Sequence, residues 1–161
     1  MKRFRRADRG GIALEFAVLL PFILIGSAGL IDVGMEMFLQ AELDRGVAAA
    51  ARVGMTGTSS ISAIKSTIES QIQNFLPTSV AGTLETNNTP LTVKTTVYSD
   101  FTSAGSNTNG VSGSTGSYGQ VVVYTATLNI PTYTGVLGLI GIKNYTLTSS
   151  AIVQNEPEHV S

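Results

Sequence analysis

The sequence predicts an α+β fold: one long N-terminal helix, a short second helix, and a small antiparallel sheet of about three to four strands. Three observations predict it. An uncharged apolar run, Phe16 to Ile31, passes without a break into an amphipathic stretch that ends near Gly54. A stripe of Ile61, Ile64, Ile68, Ile72 and Phe75 then recurs at helical spacing. The rest of the chain reads as Val-, Thr- and Tyr-rich strands without the crossover helices that a parallel sheet needs.

Composition bounds the class. The chain has 161 residues, enough for one domain of ordinary size once the N-terminal segment is set aside. Only 13% of it is charged, and Thr, Ser, Gly and Asn are abundant, which suits an exported protein better than a cytosolic enzyme. It contains no Cys, so a disulfide framework and thiolate metal sites are excluded. The net charge of −1 hides an asymmetry: Lys2, Arg3, Arg5, Arg6 and Arg9 against Asp8 give residues 1–10 a charge of +4, leaving −5 for the remainder. A basic cluster abutting an apolar run is the positive-inside pattern, which keeps the N-terminus cytoplasmic and exports the bulk of the chain. No aromatic or basic surface continues the cluster downstream, so nucleic-acid binding is not expected.

The first element follows from length. Phe16 to Ile31 reaches only about 24 Å as a helix, short of the roughly 30 Å hydrocarbon core. Counted from Gly11 the segment reaches about 31 Å and crosses, provided that Glu15 lies at the cytoplasmic edge. A carboxylate deep in the bilayer costs about 2.5–3.5 kcal/mol on insertion scales, so Glu15 needs a reason to be there. A secretory signal peptide with Gly26-Ser27-Ala28 as its cleavage site competes with this reading, as does a plain uncleaved anchor. The helical pattern that continues past Ala28 opposes the first, and Glu15 is left unexplained by the second. Leu39, Leu43 and Val47 recur every four residues beside the small row Gly46, Ala50 and Gly54, and Ala48 to Ala51 favours helix strongly. The helix is expected over about residues 12–54, bent at Pro21, which lacks an amide proton, and stopped by Gly54 and Gly57.

The second helix is expected from Ser59 as its N-cap, closed by Pro77. Leu91, Val93 and Val97 alternate with Thr92, Lys94 and Thr96 as a first strand. Gln120 to Ile130, ended by Pro131, and Lys143 to Gln154, alternating through Tyr145, Leu147, Ser149, Ala151 and Val153, supply two more. Between the first strand and the second, Asp100 to Gly119 is rich in Gly, Ser, Asn and Thr, and is expected to be a flexible surface loop. The domain plan is thus a basic leader over 1–10, a transmembrane and amphipathic helix over 11–54, and an exported head over 55–161.

Chemistry for catalysis is sparse. The one His, His159, stands near the end of the chain, no Gly-x-Ser-x-Gly elbow occurs, and Gly135, Gly138 and Gly141 lack the spacing of a phosphate loop. Those glycines are expected to let an apolar turn of Val136, Leu137, Leu139 and Ile140 pack closely or touch the membrane. Asp32 and Glu36 share a helix face and read as a solvated surface just outside the bilayer, and Glu42 with Arg45 as an ordinary surface pair. No catalytic residue, cofactor or metal is expected.

Gly10-Gly11-Ile12-Ala13-Leu14-Glu15-Phe16, followed by Leu20-Pro21-Phe22, resembles the processing and assembly signal of type IV pilin-like proteins, most closely the TadE-like pseudopilins of the Flp/Tad pilus system. The ending Thr148 to Pro157, with its Asn155-Glu156, is similar to the last strand of many such proteins, whereas residues 58–140 resemble nothing specific. The resemblance implies a pilin-like fold and cleavage by a prepilin peptidase between Gly10 and Gly11, which makes Glu15 the fifth mature residue. Phe16 replaces the Tyr usual in major pilins and suits the minor members. The implied partners are the peptidase, the major Flp pilin, other pseudopilins, the inner-membrane assembly platform and the lipid bilayer. The implied location is the inner membrane, with a periplasmic or extracellular head and a role in pilus biogenesis, adhesion or biofilm. The new amine, with a pKa of about 7.7–8.0, would pair with Glu15 of an adjoining subunit. The opposing class is a single-span, membrane-anchored periplasmic binding domain with Asp100–Gly119 as its ligand loop. A secreted hydrolase is a third class, disfavoured by the missing catalytic groups.

Overall fold

The computed structural model describes residues 7–56, 59–76 and 90–156, with only the backbone of residues 7–10. Lys2, Arg3, Arg5 and Arg6, together with Gly57, Pro77, Pro157 and His159, lie outside the described residues. The architecture is α+β, with a long apolar helix, a shorter helix and a four-stranded antiparallel sheet.

Helix α1 spans Ala7–Gly54, 48 residues or about 72 Å. It starts earlier than the expected residue 12, so Arg9 and Gly10 already belong to it. It continues without interruption through Pro21, whose missing amide removes one backbone bond without ending the helix. Its two halves differ. Residues 11–27 are all exposed, whereas Leu39, Leu43, Val47, Ala50 and Ala51 are buried in the head. The spacing of four read from the sequence is the buried stripe.

Helix α2 covers Ile61–Ile72 and is extended by a 3-10 turn, Gln73–Phe75. Its cap is Ser60, one residue later than expected: the Ser60 hydroxyl accepts from the Ala63 amide at 3.2 Å. Ser59 instead donates to Val53 O at 2.7 Å and ties the loop back to α1. Ile64, Ile68 and Ile72 are fully buried. Ile68 faces Gly46, where an added methyl would lie 3.3 Å from Ile68 Cγ2, so Gly46 lets the two helices approach. Phe75 meets Phe38 edge to face, ring centroids 5.0 Å apart.

The sheet comprises β1 (Leu91–Tyr98), β2 (Val111–Ser112), β3 (Val121–Pro131) and β4 (Asn144–Gln154), in the order β2-β1-β3-β4. Strands β3 and β4 pair over their whole length, from Val121 opposite Gln154 to Pro131 opposite Asn144. Alternate residues of β3, from Val122 and Tyr124 through Ala126 and Leu128 to Ile130, face the helices. Tyr145 and Leu147 of β4 continue that core. Burial of these side chains, about 1.5–3 kcal/mol for each large aliphatic or aromatic one, is what holds the second half of α1 in place.

The segment between β1 and β3 lies on the surface, as its composition requires, but it carries more structure than a polar loop suggests. Helix α3 (Phe101–Gly105) is capped by Asp100, whose carboxylate accepts from the Ser103 amide at 2.8 Å. The same amide, with the Ser99 and Ser103 hydroxyls, holds the Asp100 carboxyl below its ordinary value of 3.8. The two-residue β2 then pairs with β1.

Candidate functional site

Two places on α1 carry its polar anomalies, and they lie at opposite ends of the apolar run. At the first, the helical repeat sets Gly11, Glu15 and Leu19 on one face. Glu15 is exposed, flanked along an open hollow by Leu14, Val18 and Leu19. Phe16 is 59% exposed beside it. Among the described residues none forms a hydrogen bond or ion pair with Glu15. The Gly10–Gly11 peptide lies within α1, and a methyl built on Gly11 would meet nothing within 4 Å. Ser27, the other polar side chain of the run, is satisfied by donating to Ile23 O at 2.8 Å.

The second place is Asp32, and here the structure overturns the expectation of a solvated face. Asp32 is fully buried. Its carboxylate accepts from the Thr134 amide at 2.8 Å and from the Thr134 hydroxyl at 2.5 Å, across 102 residues of sequence. The contact clamps the β3–β4 connection onto α1 directly above the apolar run. Beside it, a methyl built on Gly29 would lie 3.8 Å from Leu137 Cδ2. Tyr133 reinforces the junction by donating to the Phe75 carbonyl. Burial, then the charges of Asp32 and Glu36, raise the Tyr145 hydroxyl above its ordinary value of 10.0. Glu42 also departs from the surface reading: its 2.6 Å bond to Arg45 is present, but Glu42 is buried while Arg45 is 72% exposed.

At the far end of the head, Asn155 closes the loop between β1 and β3. Its side-chain amide, fully inside, donates to Thr115 O at 3.0 Å and Ser117 O at 3.1 Å. The next residue, Glu156, donates its backbone amide to Met55 O at 2.8 Å, tying the end of β4 to the end of α1. The Asn-Glu ending therefore fastens the head at both the loop and the helix.

Among the described residues no three His, Asp or Glu side chains come together as a metal site. The chain matches no protein-family model, no curated protein and no solved structure. Function therefore rests on the geometry of α1 and its two polar positions. Helix α1 is, among the described residues, the one helix long and apolar enough to cross a membrane. Asp32 escaped sequence reasoning because its partner is remote in sequence; a charge one residue past an apolar run ordinarily marks the water boundary. Asn155 stood in the resembling C-terminal segment, but nothing local indicated that its side chain points inward.

Proposed function

We propose that the chain is a minor pilin or pseudopilin of a Tad/Flp-type pilus. In this reading it is inserted in the inner membrane through α1, cut between Gly10 and Gly11 by a prepilin peptidase, and used in pilus assembly. The observation that carries the reading is Glu15: an acidic side chain on the exposed apolar half of a helix, with no partner among the described residues. A carboxylate so placed is costly in lipid unless a cation from another chain meets it. The amine of Gly11 in a neighbouring mature subunit supplies that cation, and the pair fixes the axial stagger of adjacent helices. Register is its chief contribution, since desolvation offsets much of the attraction between two buried charges.

The two glycines at the cut also have a physical role. A peptidase must open the helix locally to reach a peptide bond, and each glycine lowers helix stability there by about 1 kcal/mol relative to alanine. Phe16 and the exposed residues beyond it offer the apolar surface that lipid covers before assembly and neighbouring helices cover afterwards. The head, with the second half of α1 in its core, is the exported part and the surface for adhesion or for contact with the major pilin and the assembly platform.

Glu15→Ala tests the pairing. The variant is expected to insert in the membrane as well as the native chain and to lower the yield of assembled pili. Unchanged pilus yield would sink the pairing.

A single-span binding domain is the second reading. It is favoured by a hollow between β1 and the loop, lined by Tyr98, Ser99, Asn109, Ser114 and Gln120. In that reading Glu15→Ala has no effect on any filament.

A further inference from the structure

We infer that the β3–β4 connection is a second membrane contact, a wedge that rests in the outer interface of the bilayer beside α1. The inference deepens the reading of α1 as a membrane span and depends on it. Residues 132–142 contain no charged side chain. Their 3-10 turn, Val136–Ile140, leaves Leu139 78% and Ile140 72% exposed, and Ile142 follows at 44%. Large apolar side chains this exposed on a rigid turn call for a covering surface.

Position identifies that surface as lipid. The turn is fastened at Gly29 and Asp32, through Leu137 and Thr134, so its depth is fixed relative to the apolar run of α1. Counted from Gly11, residue 29 stands about 27 Å along the helix, against a hydrocarbon core of about 30 Å. A span that begins at Gly11 therefore brings Leu137 to the acyl–headgroup boundary, and the exposed Leu139 and Ile140 belong to the same short turn. Leu30, 76% exposed, and Ile31 continue the apolar surface on α1 at that level.

The backbone of the connection is also prepared for a dry environment, where unpaired amides are costly. The amides of Gly138, Gly141 and Ile142 bond within the turn, to Gly135, Gly138 and Leu137. Thr132 bonds to Lys143 O, and Val136 to the Thr134 hydroxyl. Gly135 and Gly141 bracket the turn at φ of 69° and 95°, conformations that other residues adopt only under strain. Lys143, exposed at the base, brings a cation to the level of the lipid phosphates. Two contacts, a span and a wedge, would fix the tilt and rotation of the head over the membrane, with Asp32 as the pin between them.

The chain lacks Trp, so single-tryptophan variants of the full chain report local surroundings without background. Leu139→Trp probes the wedge and Leu19→Trp the span. Val111→Trp probes the opposite end of the sheet, since Val111 lies beside Val122 across β1, about 31 Å of strand from Pro131. In vesicles of phosphatidylethanolamine and phosphatidylglycerol, three to one, Leu139→Trp should be blue-shifted and quenched by lipids brominated near the headgroup, at a depth of about 5–10 Å. Val111→Trp should respond to aqueous iodide alone. Adding Thr134→Val, which removes the hydroxyl donor to Asp32, should weaken the lipid quenching of Leu139→Trp and leave that of Leu19→Trp unchanged.

Lipid quenching at Leu19→Trp with iodide quenching at Leu139→Trp overturns the wedge and leaves the span standing. Protection of Leu139→Trp from both quenchers, with cross-linking between copies, also overturns it and assigns the turn to subunit contact. Absence of lipid quenching at both positions overturns the wedge together with the membrane reading of α1.

Discussion

Tyr124 shows how a single side chain limits the head. Its ring fills the centre of the core, yet its hydroxyl is buried without a hydrogen-bond partner among the described residues. Burial raises its pKa above the ordinary 10.0, and burial does the same to Tyr133 and, with nearby carboxylates, to Tyr145. The sign follows from linkage: the folded state favours the neutral phenol, so the contribution is complete below about pH 10 and is lost as pH rises through the folded values. The head should therefore lose stability in alkali from about pH 10 upward. Tyr124→Phe removes both the titrating group and an unsatisfied oxygen, and should raise stability at pH 7 by about 1 kcal/mol. The variant should also move the alkaline loss to higher pH. Thermal unfolding of the full chain in detergent at pH 7 and across pH 9–12 checks both; an unaltered alkaline profile would show that Tyr124 is not the controlling group. Glu15 belongs at this scale too: its value lies in a charge that no described residue of its own chain answers.

Between elements, close approach decides the packing. A methyl on Gly54 would fall 2.1 Å from Tyr124 Oη and 2.6 Å from Cζ, so the end of α1 and the middle of β3 meet with no room for a side chain. Gly54→Ala improves helix propensity by about 1 kcal/mol, but overpacking of a tight core costs about 1–3 kcal/mol, and the clash falls on a ring hemmed in on all sides. The substitution should lower the melting temperature of the head, and Tyr124→Phe should recover only part of the loss, because Cζ stays in the way. An unchanged melting temperature for Gly54→Ala would contradict this packing.

Legibility varied along the same lines. The buried stripes of α1 and α2, the small row beside the first of them, and the alternation of β1, β3 and β4 are all periodic, and periodicity is local information. The fourth strand, β2, and helix α3 were hidden because two-residue and five-residue elements leave no periodic trace in a Ser/Gly/Asn-rich segment. Ser59 and Ser60 are equivalent as caps until the chain direction is known. The burial of Asp32 is illegible for a different reason: it depends on Thr134 arriving by way of the sheet, and only the tertiary structure brings them together. Of the candidate site, Gly10, Gly11, Glu15 and Phe16 were plain as a motif, while the pin at the other end of the apolar run was not.

Over the whole molecule the chain is polarised along α1. Residues 1–10 carry +4 and the remainder of the chain −5, and along α1 an exposed apolar half precedes a half buried in the head. Such an object is incomplete alone, because its exposed half requires lipid or other helices around it. The pseudopilin reading explains the helix, the leader and the acid together, and it makes the leader expendable once the chain is in the membrane. Mass spectrometry of the mature chain from cells that make the pilus addresses this most directly. The account predicts a chain beginning at Gly11. A chain that begins at Met1 while pili form normally, or at Gly29 as signal-peptide removal would give, contradicts it.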